Sequence, residues 1–109
     1  MIKVIIYKKN NSDTVGFKIS GHAEYADPGE DIVCSAVSTL AITTFNSLEE
    51  LCLDDAFHFE VNQESGDMEL AFDDIPTHDA GLIMQVFEIG ILNISESYSD
   101  FICITFKEV

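Results

Sequence analysis

Cys34 and His22 are the pair in this sequence whose side chains suit nucleophilic chemistry. A thiolate attacks a carbonyl carbon readily, and a nearby imidazole both generates the thiolate and holds its proton. Cys34 follows a polar loop, and Asp31 before it is a natural N-cap. With that cap, Cys34 takes the third position of a helix. The free N–H groups and partial positive charge of a helix start lower a thiol pKa and can hold an oxyanion. His22 sits where a preceding strand ends, so the loop returning to the helix can bring the two together. The plainer readings stand beside this. A lone Cys on a helix is commonly a small buried apolar residue, and a lone His after a strand is commonly a surface or capping residue. Asp27, Glu30 and Asp31 also oppose a thiolate electrostatically. Ser38, one helical turn past Cys34, either assists at the sulfur or bonds its own backbone. Asp31 either orients His22 or caps the helix.

The other candidates carry less. Cys52 and Cys103 read as packing residues. His58 alternates out of phase with Phe57 and Phe59, and His78 opens a second helix. No CxxC or HxxxH spacing supports a metal site, and no Gly-rich phosphate loop is present, so neither metal nor cofactor is expected.

The elements that must position this pair follow from periodicity. Ile2, Val4 and Ile6 alternate, then Lys9-Asn10-Asn11-Ser12-Asp13 turns, then Val15, Phe17 and Ile19 alternate; this predicts a hairpin. Residues 21–30 read as a loop. A helix is expected from Asp31 to about Leu51, with Val33, Val37, Leu40, Thr44, Leu48 and Leu51 on its core stripe and Ile42 and Phe45 off it. Phe57, Phe59 and Val61 alternate, Gly66-Asp67 turns, and Met68, Leu70 and Phe72 alternate. Pro76 and Thr77 introduce a second helix with Ala80, Ile83, Met84, Phe87, Ile91 and Ile94 on one face. Ile102, Ile104 and Phe106 make a last strand. The order ββαββαβ predicts an α+β fold, a mixed or antiparallel sheet packed by two helices, in one domain over residues 1–109.

Charge narrows the partners. Of the 20 acidic residues, all but Asp13 and Glu108 fall between Ile19 and Phe106, a stretch without Lys or Arg. The net charge of −15 repels nucleic-acid phosphates and anionic membranes and draws a basic protein partner. Three cysteines and no signal-peptide pattern at the N-terminus fit a cytoplasmic protein.

Gly21-His22-Ala23 and, after the loop, Asp31-Ile32-Val33-Cys34-Ser35-Ala36-Val37-Ser38 resemble the signature of the bacterial ribosomal-processing cysteine proteases (Prp). The opening Met1-Ile2-Lys3-Val4, Val15-Gly16-Phe17 and the element order fit as well. The resemblance covers essentially the whole chain. It implies a catalytic dyad of Cys34 as nucleophile and His22 as general base, with Asp31 and Ser38 in support. Ser35 departs from the Ala usual after the nucleophile. The implied task is removal of a short apolar, aromatic-ended N-terminal extension from a large-subunit ribosomal protein. The loop Ala23, Glu24, Tyr25, Ala26, Asp27, Pro28, Gly29 and Glu30 would then be a substrate lid. A homodimer is expected from the resemblance and from the apolar flanks at Ile42 and Phe45. Two other functions remain open on the residues: an acidic, non-catalytic ribosome-associated binding module, and a redox sensor at Cys34, for which no resolving Cys is evident.

Overall fold

The computed structural model describes residues 1–21, 28–53 and 55–109, with the backbone alone for 28–30. Its elements are β1 (Ile2–Lys9), β2 (Asp13–Ser20), α1 (Pro28–Leu51), β3 (Phe57–Val61), β4 (Met68–Phe72), α2 (His78–Ser97) and β5 (Ile102–Glu108). They form one five-stranded sheet in the order β3-β4-β2-β1-β5. The β1–β2, β2–β4 and β3–β4 pairs are antiparallel, and β1–β5 is parallel. The fold is therefore α+β with a mixed sheet, as the element order predicted.

Local chemistry explains each connection. Asn10 and Asn11 both take positive φ, 56° and 58°, and Ser12 N donates to Lys9 O, which makes the tight first turn. Thr77 caps α2, its Oγ1 accepting from Ala80 N while donating to Asp55 Oδ1 at 2.7 Å.

One face of the sheet carries the core. Val4 lies opposite Ile19, Ile6 opposite Phe17, and Phe17 opposite Leu70, and all are buried. Val33, Val37, Ala41 and Leu48 of α1 and Ala80, Met84, Phe87 and Ile91 of α2 pack onto that face. The Phe17 and Phe87 rings stack at 4.0 Å and join α2 to β2. Phe45 stacks on Phe59 at 4.3 Å and meets Phe57 edge-on, joining α1 to β3. The Asp31–Leu51 stretch is long and apolar enough to cross a membrane by length and composition. Here its apolar stripe is buried in the core.

Three expectations change. Asp31 is not the cap, because α1 already begins at Pro28. Proline suits the first helical position, since its fixed φ is helical and the N–H it lacks has no partner there anyway. Pro28, Gly29 and Glu30 thus belong to the helix and not to the loop. Leu51 is 71 % exposed, because the buried stripe runs Val33, Val37, Ala41, Thr44, Leu48 and on to Cys52, which leaves Leu51 one position off it. Phe45 is no free apolar flank, since two rings of β3 cover it.

Candidate active site

The site is built where β2 ends and α1 begins. β2 carries the chain to Gly21, whose φ of +86° is open to glycine at little cost. A Cβ there would also meet the carbonyl oxygen of Met1. Gly21 therefore lets the chain leave the sheet close beside the start of β1. His22 comes next. It lies outside the described residues, as do Ala23, Glu24, Tyr25, Ala26 and Asp27.

Cys34 is half-buried and packs against the core cluster through α1. It is the seventh residue of the helix, not the third. In a helix beginning at Pro28 the amides without a partner inside the helix are those of Gly29 and Glu30, because the amides of a first turn have no helical carbonyl to reach. Cys34 sits one turn beyond them. A helical Cβ leans toward the N-terminus, so the sulfur points back over that first turn. The terminal charge of the helix falls off within the same turn, which leaves activation of the thiol to a separate base.

Ser38, half-buried, shares the Cys34 flank of the helix. Asp31 is exposed, three residues before Cys34 in the first turn. Solvent screens its charge, which softens the electrostatic objection raised from sequence.

The remaining thiols and imidazoles lie elsewhere. The three cysteines form no disulfide. Cys52 is buried past the end of α1; burial, with Asp55 and Asp79 adding like charge, pushes its thiol up. Cys103 is exposed on β5, beside Lys3 of β1. His58 stands on the solvent side of β3, 2.9 Å from Asp73 Oδ1. Near His78, at the start of α2, a cavity of about 140 Å³ is lined by Asp13, Thr14, Thr77 and Gly81. It faces the beginning of β2, whereas Cys34 belongs to the end where β2 finishes. An apolar groove of about 190 Å³ lies between the helices, along Leu40, Leu82, Ile83 and Val86.

Sequence reasoning did not single out the Phe45–Phe57–Phe59 cluster, although the alternation of Phe57 and Phe59 marked those two for one face. It also missed Leu82, Val86 and Ile89, which are 46, 63 and 58 % exposed. Their spacing of four and three residues was the available signal.

The family model for cysteine protease Prp matches residues 1–103. A search of curated protein sequences finds no match. Among solved structures, the fold resembles the essential ribosomal processing protease Prp of S. aureus in complex with a substrate peptide. The TM-score is 0.90 and the identity 23 %, over 98 % of this chain and 100 % of that one. The same S. aureus protease with a covalently linked product peptide gives a TM-score of 0.86 at 24 % identity, over 98 % and 100 %. SMU.848 from Streptococcus mutans gives 0.87 at 26 % identity, over 100 % and 96 %.

Proposed function

The chain belongs to the cysteine protease Prp family, and we propose that it is the endopeptidase that trims a short apolar, aromatic-ended N-terminal extension from a large-subunit ribosomal protein. Family membership leaves no ground for the non-catalytic binding module. The observation that carries the reading is Cys34 itself. It is a half-buried thiol on a helix packed against the core, within the residues 1–103 that the family model matches.

In this mechanism His22 takes the Cys34 proton, and the thiolate attacks the scissile carbonyl. His22 then protonates the leaving amine, and water releases the acyl group. Placing Cys34 in the second helical turn gives His22 the larger share of thiolate stabilisation. Ser38 and Asp31 are supporting residues, beside the sulfur and in the preceding turn. The segment from Ala23 to Asp27 is the substrate lid, joined to the first turn of α1 at Pro28, Gly29 and Glu30.

The acidic surface supports a basic precursor as partner and argues against nucleic acid or anionic lipid. A cytoplasmic location agrees with three cysteines that form no disulfide. The chain works as a homodimer in this reading; Phe45 is covered by β3, whereas Ile42 stays exposed and α2 adds the exposed apolar row Leu82, Val86 and Ile89.

Cleavage of a peptide spanning the extension junction tests the reading. Cys34→Ala abolishes cleavage, and a folded His22→Ala variant loses about 10²–10⁴-fold in kcat. Undiminished cleavage by either variant removes that residue from the chemistry.

A further inference from the structure

Among the described residues β3 is the outermost strand of the sheet, with β4 on one side and no strand on the other. The hydrogen-bond phase of the hairpin tells which of its groups face outward. Asn62 N donates to Asp67 O at 2.8 Å, so Asn62–Asp67 is a bonded pair. Bonded and non-bonded pairs alternate in an antiparallel ladder. Glu60–Glu69 and His58–Ala71 are therefore bonded pairs, and Phe59 and Val61 turn their N–H and C=O away from β4.

An open edge of this kind invites another strand, and folded proteins usually blunt it with proline, lysine or a bulge. β3 has none of these. Its sequence is Phe-His-Phe-Glu-Val, and its register with β4 runs unbroken from Phe57–Phe72 to Val61–Met68.

This edge leads to Cys34. Cys34 and Phe45 share one flank of α1, being eleven residues or about three turns apart. The Phe45 ring lies on Phe59 at 4.3 Å, which fixes that flank as the one facing β3. β3 runs back along the helix after α1 ends, so it heads from the aromatic cluster toward the Cys34 end. Eleven helical residues span about 16 Å; β3 accompanies the helix for about 7 Å of that, from Phe59 to its end at Val61, and about three residues of extended chain span the rest. The side chains along the way are apolar: Phe59 is half-buried, and Val61 and Ile42 are 40 % and 39 % exposed.

We propose that the outer edge of β3 is the docking strand for the substrate: apolar residues from about the fourth before the scissile bond outward pair with it by strand addition, and the three nearest the bond cross from Val61 to Cys34. This rests on the protease reading above. Charge sets the direction. Apolar surface lies along β3, and beyond Cys34 the exposed carboxylate of Asp31 suits the basic residues after the cut. Main-chain pairing supplies the affinity and leaves the sequence requirement loose, whereas the helix-side surface of Phe59 and Val61 selects apolar side chains.

Backbone N-methylation of the substrate tests this with the unmodified enzyme. The probes are fluorogenic peptides of seven apolar residues ending in Phe, followed by small and basic residues, each N-methylated at one position from the fourth before the cut outward. Strand pairing predicts a loss in kcat/KM of about 10-fold or more at alternate positions and little change between them. Val61→Pro, which removes one outward N–H at a place an edge strand tolerates, raises KM by about 10-fold and leaves kcat nearly unchanged. A loss without alternation, or none, in a cleavage that Cys34→Ala abolishes overturns the docking strand and spares the protease reading. No Cys34-dependent cleavage of the unmethylated peptide overturns both. If Val61→Pro instead breaks a dimer at unchanged kcat/KM, a second copy occupies this edge and the proposal falls.

Discussion

Tyr7 and Glu69 meet on the side of the sheet opposite the helices, the Tyr7 hydroxyl donating to Glu69 Oε2 at 2.7 Å. Burial, first, and then this hydrogen bond and the Glu69 charge push the Tyr7 pKa up to about 12. The folded value lies above the unfolded one, so the contribution to stability is whole below about pH 10 and fades as pH rises through about 12. Tyr7→Phe should cost about 1–2 kcal/mol at pH 9, and the gap from the parent should close by about pH 12. Urea unfolding at both pH values reads it, and a gap independent of pH would remove the phenol from the account. At Cys34 and His22 the residue scale gives identity more readily than mechanism. A thiol in the second turn receives less from the helix terminus than one in the first, and its reactivity then depends on its imidazole partner.

Elements are joined here by a few specific contacts. Lys8 of β1 bonds Glu88 of α2 at 2.8 Å, and Thr14 of β2 completes a triangle with both, at 2.9 and 3.0 Å. The Lys8 and Glu88 side chains are 16 % and 20 % exposed, so neither charge can turn fully to water when its partner is removed. Lys8→Met should destabilise by about 2–3 kcal/mol, and adding Glu88→Leu should recover part of that, because the cost lies in the stranded charge. Denaturant melts of the three variants decide it; equal stability of Lys8→Met and the parent would mark the pair as solvated. The Phe45–Phe59 stack ties α1 to β3 in the same manner.

For the whole molecule, an exposed apolar row stands within an acidic chain. The acidic residues dominate from Ile19 onward, whereas Leu82, Val86 and Ile89 form an apolar row on the outer side of α2 beside the interhelical groove. Burial of that row against a second copy predicts a dimer by light scattering at micromolar concentration. Val86→Glu should yield the monomer without loss of fold, since Val86 is 63 % exposed within one chain. A parent protein that is already monomeric would rule the interface out.

The sequence by itself determined the element order, the two hairpins, the buried phase of β1, β2 and β4, and the motif carrying His22 and Cys34. These follow from alternation, turn chemistry and local residue order, which need no knowledge of distant neighbours. Only the tertiary structure decided the rest. Where α1 begins depended on Pro28 being taken into the helix, and an equally good capping residue, Asp31, stood three positions later. Whether Leu51 or Cys52 closed the core stripe of α1, and whether Phe45 was covered, depended on which residues of the sheet lie opposite, and spacing along one helix does not carry that. The free edge of β3 is likewise a product of strand order. Pairing between β2 and β4 puts β3 outermost, and no local pattern in Phe57–Val61 distinguishes an edge strand from a central one.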